Sequence, residues 1–189
     1  MLSILSRAIE ARDEYTRGHS ARVTAIAESI ALRLGWDEER LDLLQLGGPL
    51  HDVGKLAISD DVLRKPGELD DGELAQIREH PRLGARILLR LAAFRGALPY
   101  VLYHHERWDG NGYPTGRAGE EIPLEARVLA VADAFDAMTS DRPYRSALSR
   151  DEALAEVERC SGSQFDPEIV RIFLELSAEA GELTAAAAS

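Results

Sequence analysis

Two strong metal-ligating side chains stand next to each other in residues 50–55, which read Leu-His-Asp-Val-Gly-Lys. In an α-helix His51 and Lys55 would share a face, because residues four apart are neighbours, and Asp52 would point roughly 100° away around the axis. An imidazole and an amine would then lie near one site, with a carboxylate at its edge. Taken alone, the His-Asp pair is equally compatible with a hydrogen bond in the core and with metal binding.

The remaining histidines also occupy positions suited to a ligand. The chain has five histidines in all: His19, His51, His80, His104 and His105. Asp133 adds a carboxylate inside the nearly continuous apolar run 128–135, where a buried charge must be paired, protonated or bound to a metal. Taken singly, His19 could cap a helix and His80 could be a turn residue. Asp133 could pair with Arg127. Six or seven N/O ligands on separate helices are nevertheless better explained by one metal site than by several unrelated structural roles.

The adjacent ligand pairs His51-Asp52 and His104-His105 indicate two metals. Neighbouring side chains diverge around a helix, so both cannot easily serve one ion in the same way, but they can serve two ions bridged by a carboxylate. Two metals about 4 Å apart suit an in-line displacement at phosphorus, because they activate water and stabilise charge on the attacking and leaving oxygens. The residues therefore predict a site for phosphoryl chemistry.

The elements that must position these residues read as helices, since apolar residues recur at spacings of three and four without a β pattern. Gly47-Gly48-Pro49 predicts a kink or restart just before His51. A loop as long as 106–123, with several glycines, is usually functional. The expected fold is a compact all-α domain over residues 1–180, followed by a frayed tail at 181–189. Helices are predicted over 2–16 and 19–34, from Asp37, from Asp70 or Asp71 to about 80, from Pro81, and over 97–105, 124–138, 149–160 and 167–180.

Composition narrows the class of partner. The 189 residues correspond to about one domain. The formal net charge of −11 argues against DNA or RNA, which need a basic surface, but bound metals can reverse the local field for a small phosphorylated substrate. The single cysteine, Cys160, excludes a thiolate metal cluster and fits the cytoplasm. No apolar stretch is long enough for a membrane segment.

Five motifs follow one another along the chain: His51-Asp52 with Val53-Gly54-Lys55, His80-Pro81, His104-His105-Glu106 with Gly112-Tyr113-Pro114, Asp133, and Arg142-Pro143-Tyr144-Arg145. Together these motifs resemble the HD-GYP domain, a subgroup of the HD phosphohydrolase superfamily, over about residues 8–175. The resemblance implies an all-helical HD-type fold with a long glycine-rich GYP loop, a centre of two or three metals, often iron or manganese, and phosphodiesterase activity on cyclic di-GMP.

The resemblance also implies residue roles. Asp52 is expected to bridge the metals, and His19 to be an accessory ligand or a ligand of a third metal. Tyr15 stands where trinuclear members carry a glutamate, so two metals are expected. Lys55 is expected to contact the phosphate or to protonate the 3′ leaving oxygen. The implied core metal ligands are His51, Asp52, His80, His104, His105 and Asp133.

Four further residues are expected to touch the substrate or a partner. Arg142 and Arg145 are placed to clamp phosphate oxygens, with surface ion pairs to Asp136 or Asp141 as the alternative. Tyr113 and Trp108 are expected to stack on guanine or to dock a diguanylate cyclase (GGDEF) domain. The alternative for Trp108 is that it anchors the loop to the core.

The implied reaction is hydrolysis of cyclic di-GMP to linear pGpG, with a second cut to GMP left open. One alternative is another HD-type phosphohydrolase acting on nucleotides. The other is a catalytically weak HD-GYP module that signals by protein interaction. A homodimer is also left open.

Overall fold

The computed structural model describes Arg12 and residues 18–141 and 146–187, with side chains described through residue 180. Within these ranges the chain is all-α, as predicted, and contains no strand, only an isolated bridge between Ser161 and Phe165. The α-helices are α1 (His19–Arg33), α2 (Glu38–Gly47), α3 (Asp60–Leu63), α4 (Asp71–Ile77), α5 (His80–Leu88), α6 (Leu98–Tyr103), α7 (Leu124–Thr139), α8 (Arg150–Arg159) and α9 (Pro167–Ala187). Short 3₁₀-helices cover Gly48–Leu50, Val53–Ala57, Ala92–Ala97 and Gly119–Glu121.

Polar side chains begin several of these helices where the sequence predicts. The Asp37 carboxylate accepts a hydrogen bond from the backbone N–H of Arg40 at 3.0 Å. Asp70 and Glu73 form a reciprocal capping box at the start of α4, and Ser149 does the same at α8. Such caps satisfy backbone donors that would otherwise lack a partner in the first turn.

Several predicted boundaries were wrong. The sequence predicts no helix over residues 60–69, yet α3 lies there. Of the predicted helix 97–105, only Leu98–Tyr103 is α-helical, and Ala97 ends a 3₁₀-helix. The last helix runs to Ala187, past its predicted end at residue 180. His80 is the first residue of α5, so helix packing overrides the extended bias of a residue before proline. The predicted helix 2–16 lies outside the described residues except for Arg12.

Two apolar clusters hold the helices together. The larger cluster packs α1 against α7 and α9 and includes Ile30, Leu129 and Phe173. The smaller cluster joins the segment around residue 50 to α5 and α6 and includes Leu50 and Val101. The predicted ligands lie on segments packed by both clusters. Packing within and between the two clusters therefore determines how well the ligands converge.

Gly47 and Gly48 explain how the chain enters the segment that carries His51. A Cβ on Gly47 would overlap the ring of Tyr100 in α6, and a Cβ on Gly48 would overlap Thr24 in α1. The glycines therefore let the chain pass closely between two helices. The predicted break is confirmed, but a 3₁₀-helix follows it instead of a new α-helix.

Another close approach joins the His51-Asp52 segment to α5. A Cβ on Gly54 would overlap the carbonyl oxygen of His80, and a Cβ on Gly84 would lie 2.7 Å from the Val101 side chain. Because neither position has a side chain, the 3₁₀-helix Val53–Ala57 packs directly on the first turns of α5. This contact brings His51-Asp52 next to His80.

Candidate metal centre

The predicted ligands converge in two groups that share one carboxylate. In each group, one ligand atom per residue lies within 4.8 Å of the others. Asp133 lies beside the second group, with its Oδ1 3.1 Å from His19 Nε2 and 4.0 Å from His51 Nε2. The first group is Asp52, His80, His104 and His105, and the second is His19, His51 and Asp52.

Local backbone carbonyls orient three of the histidines. In each case Nδ1 lies close to a carbonyl oxygen three residues earlier in the chain. A carbonyl can only accept, so Nδ1 of each ring carries a hydrogen. Nε2 is the nitrogen turned toward the centre, where a neutral ring offers a lone pair. The three bonds run from His51 to Gly48 (2.7 Å), from His80 to Ile77 (2.8 Å) and from His104 to Val101 (3.1 Å).

These lone pairs fit a cation. Nε2 of His80 and Nε2 of His104 face each other at 3.3 Å, although both are acceptors when Nδ1 holds the hydrogen. Nε2 of His51 is buried without a hydrogen-bond partner. Two nitrogens at this separation can share one metal with bonds of about 2.1 Å. Imidazole and carboxylate donors without thiolate suit a divalent transition metal.

Asp52 lies between the two groups, where a bridging carboxylate is expected. Its Oδ1 is 3.2 Å from His80 Nε2, and its Oδ2 is 3.4 Å from His51 Nε2. Lys55 places its Nζ 2.8 Å from Oδ2 of Asp52. The expectation that Lys55 shares an α-helical face with His51 was wrong, because the segment after Asp52 is a 3₁₀-helix. Residues three apart lie on one side of a 3₁₀-helix, so Lys55 lies beside Asp52.

The carboxylates are held in their charged form. Burial opposes ionisation of Asp52, but Lys55 and His51 hold its pKa well below the usual carboxyl value. Burial also opposes ionisation of Asp133, yet a hydrogen bond from His19 and the surrounding imidazoles lower its pKa. Both side chains can therefore bind a cation without first losing a proton.

The imidazoles differ in their readiness to bind. Burial, together with the neighbouring His105, lowers the pKa of His104 well below its usual value, and burial lowers the pKa of His105 to about 4. Burial opposes protonation of His19 as well, but hydrogen bonds to Asp133 and Asp136 outweigh it and raise the pKa to about 9. Burial likewise opposes protonation of His51, but Asp52 and Asp133 outweigh it and raise its pKa. A metal that binds His19 or His51 must therefore displace a proton, whereas His104 and His105 are already neutral.

The sequence missed a residue that supports the centre. Asp136 is buried, and its Oδ2 lies 2.7 Å from Nδ1 of His19. The Arg22 guanidinium holds the other oxygen at 2.6 Å. The available signal was its position three residues after Asp133, which puts both carboxylates on one face of α7. The alternative that Asp133 pairs with Arg127 was wrong, because the Arg127 guanidinium pairs with Asp166 at 2.6 Å.

The glycine-rich loop is tied to the same centre by a second missed residue, Glu106. Its buried carboxylate accepts hydrogen bonds from the backbone N–H groups of Thr115 (2.6 Å) and Gly116 (3.0 Å). The loop carries Tyr113 onto the His105 ring, with centroids 4.8 Å apart and planes 28° from parallel. Glu106 therefore fixes the loop that presents Tyr113 to the metal centre.

Trp108, in the same loop, contacts residues that lie outside the loop. Its backbone N–H donates to the carbonyl oxygen of Gln164 at 3.1 Å, and the Arg127 guanidinium lies 5.8 Å from its ring centroid. These contacts match the alternative in which Trp108 anchors the loop. Arg142 and Arg145 lie outside the described residues. Asp136, one of their alternative partners, is held by Arg22 and His19.

Comparison with known proteins agrees with this arrangement. A family model described as an HD domain matches residues 3–169. The cyclic di-GMP phosphodiesterase response regulator RpfG of Xanthomonas campestris is 47% identical over 92% of this chain and 46% of its own length. A cyclic di-GMP phosphodiesterase of Thermotoga maritima is 41% identical over 95% of this chain and 49% of its own length.

A solved structure has the same fold. The crystal structure of a cyclic GMP-AMP specific phosphodiesterase of Vibrio cholerae, V-cGAP3, superposes with a TM-score of 0.69 at 25% identity, covering 94% of this chain and 49% of that one. The chain therefore belongs to the HD-domain family. Its resemblance to the HD-GYP group, drawn from its motifs, is confirmed.

The share of each relative that is matched and the character of the helices both describe the chain as a whole. The chain spans about half the length of the curated relatives it matches. None of the described helices combines the length and the apolar character that a membrane crossing requires.

Proposed function

We propose that this chain is a metal-dependent phosphodiesterase that hydrolyses cyclic di-GMP to linear pGpG. The observation that carries the proposal is the set of bare imidazole nitrogens around Asp52, above all Nε2 of His80 and His104 at 3.3 Å. The similarity to two cyclic di-GMP phosphodiesterases supports the substrate.

Two divalent ions fit the two ligand groups. Asp52 with His80, His104 and His105 would hold one ion. Asp52 with His51, His19 and Asp133 would hold the other. When bound, such a pair supplies an activated water and stabilises charge on phosphoryl oxygens. Iron or manganese is the proposed metal, since imidazole and carboxylate donors suit both.

Lys55 is the proposed contact to the scissile phosphate. Its ammonium is held by Asp52 at 2.8 Å, and its side chain is 18% exposed, so it lies at the edge of the centre and in reach of solvent. From there Lys55 can donate a hydrogen bond to a phosphate oxygen or a proton to the 3′ leaving oxygen. Arg142 and Arg145 complete the proposed phosphate clamp.

Tyr113 is the proposed base-stacking residue. One ring face stacks on His105, and the guanidinium of Arg78 lies 5.6 Å from the ring centroid. This places an aromatic surface and an exposed positive charge beside the metal centre. Trp108 is the weaker candidate for guanine stacking, because its contacts are with Gln164 and Arg127, whereas Tyr113 contacts a residue of the ligand groups.

A substrate panel tests the proposal. Protein loaded anaerobically with Mn²⁺ or Fe²⁺ is incubated with cyclic di-GMP, cyclic GMP-AMP, linear pGpG and mononucleotides, with Asp52→Ala as the inactive control. We expect pGpG from cyclic di-GMP. If the loaded protein opens no cyclic dinucleotide, the proposal is wrong, and turnover of mononucleotides alone would favour another HD-type phosphohydrolase.

A second candidate substrate is cyclic GMP-AMP. The structural similarity to V-cGAP3 favours it. Both dinucleotides present two phosphodiesters and at least one guanine, so the metal centre alone does not distinguish them. The ratio of kcat/KM for the two substrates in the same panel decides which one the site prefers.

We further propose that residues 1–180 form one catalytic domain acting in the cytoplasm, where the free thiol of Cys160 would stay reduced. A GGDEF domain docking on the GYP loop and a homodimer belong to the same proposal. Light scattering of the purified chain, alone and mixed with a GGDEF domain, tests both associations.

A further inference from the structure

We propose that Asp136, held by Arg22, is the positioning residue that makes His19 a resident ligand of the metal centre. The inference rests on the proposed metal centre but does not depend on which dinucleotide is cleaved. It concerns a side chain that contacts a ligand and does not itself belong to either ligand group.

His19 differs from the other oriented histidines in the origin of its hydrogen-bond acceptor. His51, His80 and His104 each bond a carbonyl three residues earlier, within their own segment. His19 bonds Asp136, which lies 117 residues further along the chain. Local backbone therefore aims three rings, whereas the packing of α1 against α7 aims His19.

The geometry fixes which nitrogen of His19 faces the metal centre. The ring is buried, with Nδ1 2.7 Å from Oδ2 of Asp136 and Nε2 3.1 Å from Oδ1 of Asp133. Carboxylates accept, so both nitrogens carry hydrogen until a metal binds. Nδ1 stays bonded to Asp136, which lies outside the ligand groups, and Nε2 is the nitrogen that faces the centre and exchanges its hydrogen for a metal. The His51 ring lies alongside, with its centroid 5.5 Å away.

Arg22 keeps the Asp136 carboxylate charged and in place. It lies three residues after His19 on α1, with Nε 2.6 Å from Oδ1 and a terminal nitrogen 3.0 Å from Oδ2 of Asp136. A two-point contact of this kind holds both partners in one plane. Asp136 is only 3% exposed, and a buried carboxylate of this kind needs such a cation.

An anionic partner does more for a ligating imidazole than a carbonyl does. It makes Nε2 a stronger donor and restricts the ring, and loss of such partners typically costs 10–100-fold in metal affinity. His19 is thereby prepared as a full member of the group with His51 and Asp52, although Tyr15 replaces the glutamate of trinuclear members.

The test is a double-mutant comparison of metal affinity. The dissociation constant for Mn²⁺ is measured by chelator competition in wild type, Asp136→Ala, His19→Ala and the double variant, and the Co²⁺-loaded forms are compared by visible absorption. We expect Asp136→Ala to lower the Mn²⁺ affinity of the ligand group that contains His19 by about 10–100-fold. The visible absorption spectrum of Co²⁺ bound to that group should also change. The double variant should bind no more weakly than His19→Ala.

A second buried pair provides the matched control. Asp166 is buried and accepts from Arg127 at 2.6 Å, so Asp166→Ala removes a comparable carboxylate that does not contact a ligand. Far-UV circular dichroism in chelator checks folding of every variant. Where an alanine variant does not fold, Asp136→Asn and Asp166→Asn replace the pair.

Three outcomes overturn the inference. The first is a Mn²⁺ affinity of Asp136→Ala equal to that of the wild type. The second is a loss of Mn²⁺ affinity in Asp166→Ala as large as that in Asp136→Ala. The third is a further loss of Mn²⁺ affinity when Asp136→Ala is added to His19→Ala. None of them bears on the proposed function, which fails instead if the metal-loaded wild type opens no cyclic dinucleotide.

Discussion

Single residues in this centre divide their atoms between orientation and ligation. His51, His80 and His104 commit Nδ1 to a backbone carbonyl and leave Nε2 for the centre. Asp52 turns one carboxylate oxygen toward each ligand group, and Lys55 contacts the oxygen Oδ2. The ligand types could be predicted because the chain has so few histidines. The orienting atoms could not, because they depend on the local helix type.

Lys55→Met tests the proposed phosphate contact at this scale. The change removes the ammonium and keeps most of the side-chain volume, so we expect nearly unchanged metal content and a kcat lower by about 10²–10⁴-fold, as for loss of a general acid. Elemental analysis and steady-state kinetics measure the two effects. Lys65→Met, which breaks a surface pair with Glu73 at 2.6 Å, is the control. Parallel loss of metal and rate would assign Lys55 to the metal site instead.

At the scale of elements, close backbone contacts position the ligands. The 3₁₀-helix Val53–Ala57 contacts α5 closely at Gly54. Backbone N–H groups of the glycine-rich loop donate hydrogen bonds to the Glu106 carboxylate. The sequence predicts the break at Gly47-Gly48-Pro49, because glycine and proline disfavour a continued helix. It does not predict a 3₁₀-helix after the break, since that choice depends on packing against α1 and α6.

Gly54→Ala should disturb the site by moving these elements apart. The new Cβ would overlap the His80 carbonyl oxygen, so we expect a loss of about 1–3 kcal/mol in stability, as for other overpacked sites, and weaker metal binding. Urea unfolding and chelator competition measure both. Gly72→Ala in α4 is the control, because its Cβ meets only the Asp70 side chain, at 3.3 Å. Equal effects in the two variants would contradict the packing argument.

Glu106→Gln should loosen the glycine-rich loop. The neutral amide loses charge-assisted bonds and sets an NH₂ group against donors of Thr115 or Gly116, at a cost of about 1–3 kcal/mol. We expect faster hydrogen exchange over 106–116 and a raised KM, because Tyr113 is no longer held on His105. Glu120→Gln, an exposed change in the same loop, should leave both unchanged. Unchanged exchange in Glu106→Gln would remove Glu106 from this role.

At the scale of the whole molecule, the centre lies where two apolar clusters meet. His19 and Asp133 belong to helices of the larger cluster, while His80 belongs to a helix packed by the smaller one. The helical fold and its core could be predicted from apolar spacing. Asp136 could not be recognised as a support for His19, because its role requires α1 and α7 to pack in one particular register.

Metal binding should therefore stabilise the entire domain. At a free Mn²⁺ concentration 100 times the dissociation constant, a ligand specific to the folded state adds about 2.7 kcal/mol, which raises the Tm of a domain of this size by roughly 5–10 °C. Differential scanning calorimetry with Mn²⁺, with chelator and with the His80→Ala variant measures the effect. Ca²⁺, which prefers oxygen ligands, is the control ion. A Tm insensitive to Mn²⁺ would argue against a centre that joins the helices.

The hydrogen bond between His19 and Asp136 spans 117 positions of the chain, so it joins segments that leave the ribosome at very different times. Closing so long a loop costs more entropy than forming a local turn. A nascent polypeptide that has not yet made α7 carries its histidines without Asp133, which lies beside the second ligand group, and without Asp136, which orients His19. We therefore expect stable metal uptake to be a late event in biosynthesis, after synthesis has passed α7.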